Sequence, residues 1–305
     1  MIFAVASGKG GTGKTTVTAS LAAIWEGPLT LVDLDVEEPN LHLFLNPEIT
    51  RESAAMLEVP VHNPDTCTLC GECATFCQYK ALAIMGKTML FYPEMCHGCG
   101  GCLRICPEGA LSPGGRELGR IVDGQTEFGR FVMGRLRVGE AMSPPLMQQV
   151  KQLVKEQASH AGMPEVAEGG VEGDVLGDVL IDAPPGVSCP AMHAVMDADA
   201  ILLVTEPTPF GLYDFRLAVE AFSGLNKPMG AVINRVGIGD QGVDDYCRAA
   251  GIPIWAHIPN SILAAKAYSR GEIVARELPE LRGLFQELKE RMRAAVSASQ
   301  EVGRA

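Results

Sequence analysis

Two stretches of this 305-residue chain carry residue types that do chemistry at fixed spacing. The first is Gly8-Lys9-Gly10-Gly11-Thr12-Gly13-Lys14-Thr15, which fits G-x-x-x-x-G-K-[ST]. It follows an apolar strand-like run and opens a helical one, the context in which such a loop binds phosphate. Its glycines let successive backbone N–H groups point inward at phosphate oxygens. Lys14 is placed to bridge the β- and γ-phosphates, Thr15 to give its hydroxyl to Mg²⁺, and Thr16 to reach the α-phosphate. The expected ligands are ATP or ADP with Mg²⁺.

The second stretch is cysteine-rich. Cys67-x2-Cys70-x2-Cys73-x3-Cys77 recurs 29 residues later as Cys96-x2-Cys99-x2-Cys102-x3-Cys106-Pro107, and Ala81-Leu82 recurs as Ala110-Leu111 at the same offset. These are the spacings of bacterial two-cluster ferredoxins, in which the fourth cysteine of each run ligates the other cluster. One [4Fe–4S] cluster is therefore expected on Cys67, Cys70, Cys73 and Cys106, and a second on Cys96, Cys99, Cys102 and Cys77. Gln78 stands where the first run would usually carry Pro, which removes no ligand. Zinc would call for C-x2-C pairs separated by a longer gap. His97 is read as surface decoration, and the lone Cys189 and Cys247 as small buried thiols.

Lys9 gives the phosphate loop the form K-G-G-x-G-K-T. This resembles the deviant loop of the MinD/ParA family of P-loop ATPases, which includes the nitrogenase iron protein. The resemblance implies that Lys9 reaches across a dimer to the partner's nucleotide. Asp33-Leu34-Asp35 resembles switch I, with Asp35 orienting or activating the attacking water. Asp182-Ala183-Pro184-Pro185-Gly186 resembles Walker B with switch II, Asp182 holding Mg²⁺ through water and Gly186 offering its N–H near the γ-phosphate. Asn234 matches an adenine-binding asparagine. Ile258-Pro259, in a stretch running to Ala267-Tyr268-Ser269-Arg270-Gly271, matches the segment packed on the base. On the same resemblance Lys9, Lys14, Asp35 and Asp182 are the catalytic set. Gly8, Gly10, Gly11, Thr12, Gly13, Thr15, Thr16, Gly186, Asn234 and Pro259 join Lys14 around the nucleotide. The whole arrangement is similar to MinD-superfamily ATPases with an inserted ferredoxin domain.

These groups need a scaffold. Apolar runs at Ile2–Ser7, Leu29–Asp33, Val179–Asp182, Ala200–Thr205, Met229–Ile233 and Ile254–His257 alternate with helical patterns at Thr15–Trp25, Leu212–Phe222 and Val243–Ala250. This order predicts an α/β fold, a mostly parallel sheet with helices on both faces. The pattern breaks between about Pro60 and Pro113, so an α+β ferredoxin-like insert over 60–118 is expected to divide the ATPase domain into 1–59 and 119–305. Gly115–Val138 reads as strands or a hairpin returning to the main domain, and Ala158–Asp174 as a Gly- and Glu-rich surface loop. Leu281, Leu284, Phe285, Leu288 and Met292 have the spacing of a packing helix.

Composition narrows the function. A formal charge of −12 disfavours nucleic acid and electrostatic docking on anionic membranes. No run approaches the roughly 18 apolar residues of a membrane span, and no basic leader precedes the first strand. A cytoplasmic protein is expected, in which ten cysteines are more readily metal ligands than disulfides. Three functions compete. The leading one is an ATP-hydrolysing, ATP-gated electron-transfer protein, acting as a nucleotide-dependent homodimer or heterodimer with a related ATPase and serving an unidentified redox partner. The others are a spatial organiser of a redox complex and an iron–sulfur cluster carrier.

Overall fold

The computed structural model describes residues 1–160 and 177–302. In chain order the elements are β1 (Ile2–Ala6), α1 (Lys14–Ile24), β2 (Leu29–Asp33), α2 (His42–Leu45), β3 (Glu48–His62), α3 (Glu72–Phe76), β4 (Leu82–Met85), β5 (Thr88–Phe91), α4 (Gly101–Ile105) and β6 (Leu111–Thr126). There follow β7 (Gly129–Leu136), α5 (Pro144–His160), β8 (Asp178–Asp182), α6 (Cys189–Val195), β9 (Ala200–Thr205) and α7 (Pro209–Ser223). The last are β10 (Met229–Val236), α8 (Gly242–Ala250), β11 (Ile254–Pro259), α9 (Ile262–Ser269), α10 (Val274–Glu277) and α11 (Pro279–Val302).

Nine strands form one sheet in the order β11-β10-β9-β1-β8-β2-β7-β6-β3. From β11 to β7 every pairing is parallel; β6 then runs antiparallel to both β7 and β3. The central strands are apolar without alternation because both faces are covered; β9, Ala-Ile-Leu-Leu-Val-Thr, is buried throughout. Core residues of one face pack beneath α1, α10 and α11, where Phe285, Leu288 and Met292 are fully buried. The other face packs Leu146, Val150, Phe215, Phe222 and Val243 from α5, α7 and α8. The expected fold and the packing role of the C-terminal helix are thus both present. The Ala158–Asp174 loop reading falls mostly outside the described residues, and α5 runs to His160.

The cysteine segment grows from the far edge of this sheet. β3 and β6 form one continuous antiparallel ladder from Glu48↔Gln125 to His62↔Leu111, so residues 60 and 118 lie within the strands of a stem. Beyond it stand two short helices and the β4–β5 hairpin. The 29-residue repeat is conformational as well as sequential. Leu69 and Gly98, Gly71 and Gly100, and Lys80 and Gly109 all take positive φ at matching positions. The backbone is crossed between the copies: Asn63 N–H bonds Ala110 O, and Tyr92 N–H, 29 residues on, bonds Ala81 O. Leu82, Met89 and Leu111 form a small core of their own.

Candidate nucleotide and cluster sites

The phosphate loop sits at the carboxyl end of β1, at the sheet end where open α/β folds place ligands. Gly13 takes a left-handed φ of 96° to lead into α1, and a Cβ there would lie 2.3 Å from Asn234 Nδ2. Gly8 has no room either: a Cβ would meet the carbonyl oxygen of Asp214 at 2.0 Å. Above the loop opens a cavity of about 330 Å³, the lower end of the range for small-molecule sites. Gly10, Gly11, Gly13, Lys14, Thr15 and Thr16 line it from the loop side, with Asp35, Asn234 and Pro259 opposite.

Asp182 and Asp35 face Lys14, and Asp33 lies beside them. Thr15 Oγ1 lies 2.7 Å from both Asp182 Oδ2 and Asn40 Oδ1, and Thr18 Oγ1 donates to Asp182 Oδ1 at 3.2 Å. Burial pushes the Asp182 carboxyl up, against the pull of Lys14, Thr15 and Thr18. Burial likewise pushes Asp33 well up, with Asp182 adding to the rise. Asp35 is raised to about 6 by burial, with Lys14 opposing and Asp182 reinforcing. Burial is the first cause of the rise at each, and a cation bound among them would pull all three back down. A hydroxyl beside hard carboxylate oxygens is a donor set that suits a divalent cation such as Mg²⁺.

Asp33 is the organiser of switch I. Its carboxylate accepts from the backbone N–H of Asp35, Asn40 and Leu41 at 3.0–3.1 Å, folding residues 34–41 around it. Asn234 Nδ2 donates to Thr12 O at 2.8 Å, so its amide braces the loop, and its Oδ1 accepts from Arg235 N–H. Gly186, φ 91°, gives its N–H to Ser7 O at 2.9 Å. Lys9 Nζ lies 2.5 Å from Glu206 Oε1 of its own chain.

The eight clustered cysteines are free thiols. They line two separate cavities. One is bordered by Cys77, Cys96, Cys99 and Cys102, the other by Cys67, Cys70, Cys73 and Cys106. Burial pushes the Cys102 thiol up to about 11, with Cys96 and Cys99 adding to it; burial also raises Cys73, where Cys106 and Cys67 contribute. Gathered thiolates repel one another, and bound iron would relieve that repulsion. Among the described residues no three His, Cys, Asp or Glu side chains close on a single metal ion. Each cavity is bordered by four thiols, the donor type that iron–sulfur clusters use.

The chain's middle and both ends of this site fall within one family. A model described as the CobQ/CobB/MinD/ParA nucleotide binding domain matches residues 3–274. The chain belongs to that family. The match spans the Gly8–Thr15 loop and the residues of the cavity above it except Phe285. Among relatives, an uncharacterized protein of Methanocaldococcus jannaschii, MJ0578, is 32% identical over 240 residues, spanning 78% of this chain and 79% of its own. MJ0579 of the same organism is 29% identical over 249 residues, 79% of this chain and 82% of its own. Among solved structures, the Pyrococcus furiosus cell division ATPase MinD superposes with TM-score 0.54 at 23% identity, covering 96% of this chain and 98% of that one. The Aquifex aeolicus MinC:MinD complex gives TM-score 0.54 at 15% identity, 95% of each chain covered. These two show the shared fold.

Some site features were not legible beforehand. Asn40, Glu38 and Arg235 border the cavity, and only their closeness in sequence to Asp35 and Asn234 hinted at it; Tyr268, which also borders it, lies in the stretch matched beforehand to the base-packing segment. Glu206 could have been suspected, since an acid directly after the apolar strand β9 is an odd choice without a partner. Cys189 corrects the sequence reading, being exposed at the start of α6, whereas Cys247 is buried as expected. His97 stacks on Tyr79 with ring centroids 3.4 Å apart and borders the cavity of Cys96. Among the described residues no helix is long and apolar enough to cross a membrane.

Proposed function

We propose that this chain hydrolyses ATP as a nucleotide-dependent dimer and carries two [4Fe–4S] clusters on an insert over about 60–118, so that nucleotide state gates electron transfer to a redox partner. The observation that carries the reading is the crossed partition of eight cysteines between two cavities. It matches the spacing rule for two-cluster ferredoxins, and the repeat's crossed backbone bonds supply its physical cause.

Hydrolysis of ATP to ADP and phosphate asks a protein mainly for position and charge. Loop N–H groups and Lys14 hold the β- and γ-phosphates. Thr15 and Asp182 would hold Mg²⁺, which would supply charge at the phosphates. Asp35 accepts a hydrogen bond from the attacking water and orients it in line with the γ-phosphorus. Lys9 of a second copy adds positive charge at the phosphates. Asn234 and Pro259 border the base. Cys67, Cys70, Cys73 and Cys106 would hold one cluster, and Cys77, Cys96, Cys99 and Cys102 the other; when bound they supply one-electron transfer. The protein acts in the cytoplasm on this reading.

The direct test is metal analysis of anaerobically purified protein with an ATPase assay on the same sample. About eight iron and eight sulfide per chain are expected. Stoichiometric zinc, or hydrolysis-competent protein without iron after reconstitution, would overturn the cluster assignment.

A further inference from the structure

Glu206 follows the last residue of β9 and pairs with Arg235, which borders the cavity; it lies outside the groups assigned above. Its residue surface is 8% exposed, and its carboxylate is shared. Oε1 takes Lys9 Nζ at 2.5 Å, Oε2 takes Arg235 Nη1 at 3.1 Å, and Thr208 Oγ1 lies 3.4 Å from Oε1. The carboxylate is fixed while its cations are not. Gly211 packs so close that a Cβ there would stand 2.2 Å from Glu206 O and 2.9 Å from its Cγ. Lys9 and Arg235, by contrast, are 28% and 47% exposed along their side chains. Burial alone would raise the Glu206 carboxyl, but Lys9 and then Arg235 outweigh it and hold it below the usual range. The group is an anion at neutral pH.

A lysine is a compact charge on a flexible four-carbon stem. Its ammonium cannot lie on a buried carboxylate of its own chain and on the phosphates of another. We propose that Glu206 is a positioning residue that holds Lys9 within its own chain, and that forming the ATP dimer exchanges this ion pair for the phosphates of a second copy. Removing one partner of a buried pair ordinarily strands a charge at high cost. Here Arg235 is already bonded to the second oxygen and stays to neutralise it. Arg235 is itself built for the place: its φ of 57° is left-handed, where β10 slips register against β11. The exchange favours ligands with more negative charge than one carboxylate, so a triphosphate draws Lys9 out more strongly than a diphosphate. The inference rests on the cross-chain role of Lys9.

The test is the dimer dissociation constant of the full chain by sedimentation velocity, with Mg²⁺ and a slowly hydrolysed ATP analogue. Nucleotide affinity and melting temperature are measured on each variant. Glu206→Gln should dimerise at roughly threefold to tenfold lower concentration than wild type, the range for a partly exposed ion pair. Arg235→Ala should move the other way, because Glu206 then has only Lys9. Glu206→Gln combined with Lys9→Ala should dimerise no better than Lys9→Ala alone. A Glu206→Gln protein that melts and binds nucleotide as wild type does, yet dimerises no more tightly, overturns the proposal. If that variant does not fold, an Arg235→Ala dimer as tight as wild type overturns it instead. Lys9→Ala dimerising as wild type does would sink the cross-chain reading, and the exchange with it.

Discussion

Lys14 concentrates the chemistry of the phosphate loop at one side chain. It is 7% exposed and stands among Asp35 and Asp182, whose charges it opposes. Lys14→Ala should abolish ATP binding, because the phosphates lose their main counter-charge. Unchanged affinity by calorimetry would show the loop assignment to be mistaken. Asp35 carries a second residue-scale consequence. Burial, with Asp182 behind it, lifts its carboxyl from 3.8 to about 6 against Lys14. A folded carboxyl that keeps its proton longer than the unfolded one takes stability away as pH climbs through that interval. The nucleotide-free protein should therefore lose stability between about pH 4 and about pH 6 from this residue. Asp35→Asn should melt higher than wild type at pH 7 while losing hydrolysis. A variant that melts lower would contradict this account of the site.

The element that matters most is the β3–β6 stem. It joins the cysteine-bearing segment to the sheet, and the Leu57 side chain and the Glu58 carbonyl lie directly under Gly98. A Cβ at Gly98 would meet Leu57 Cδ1 at 2.5 Å, at a φ of 66°. Gly109 has a similar φ of 59° with nothing within 4 Å. Both Gly→Ala changes cost about 1–2 kcal/mol of backbone strain, and Gly98→Ala adds a collision that Gly109→Ala lacks. Chemical denaturation should show the first variant as clearly the less stable; equal losses would mean that the stem does not press on the insert. The crossed repeat makes a sharper prediction. Cys77→Ser should damage the cluster shared with Cys96, Cys99 and Cys102 and spare the other, as read by electron paramagnetic resonance. Selective loss of the Cys67 cluster would refute the crossed ligation.

At the scale of the whole molecule, hydrogen bonds run from the phosphate loop to the head of α2, and the chain itself continues from there into the stem. Thr15 contacts Asn40, Asn40 N–H bonds Asp33, and Leu43 N–H bonds Asn40 O at the head of α2. β3 follows, and its Glu58–Pro60 segment borders the cavity of Cys77, Cys96, Cys99 and Cys102. Were a γ-phosphate to draw Thr15 away from Asn40, the root of the stem is where the change would be felt. Coupling of this kind is reciprocal. If ATP shifts a cluster potential by about 60 mV, reduction must shift ATP affinity about tenfold, the same 1.4 kcal/mol. Redox titrations in ADP and ATP-analogue states, beside ATP affinities of oxidised and reduced protein, measure both arms. Identical values throughout would show two modules merely sharing a chain.

Local spacing was enough to find the phosphate-loop motif, six of the seven parallel strands and both cysteine runs, because each is written in contiguous residues. β2 and β9 fall on the residues expected for them, since a buried parallel strand is an unbroken apolar run. Which cysteines share a cavity also follows the expected grouping, Cys77 with Cys96, Cys99 and Cys102, and Cys106 with Cys67, Cys70 and Cys73. Contacts between distant segments were not. β3 alternates too irregularly to announce a 15-residue strand, and only pairing with β6 makes it one. Asp33 could have been a cap or a catalytic group; tertiary structure makes it the buried acceptor of three loop N–H groups. The partner of Lys9 lies 197 residues away. Sequence periodicity reports which face of an element is buried. It holds no record of which charges from far-apart strand ends are brought to one rim, and that is where Glu206, Arg235 and Lys9 meet.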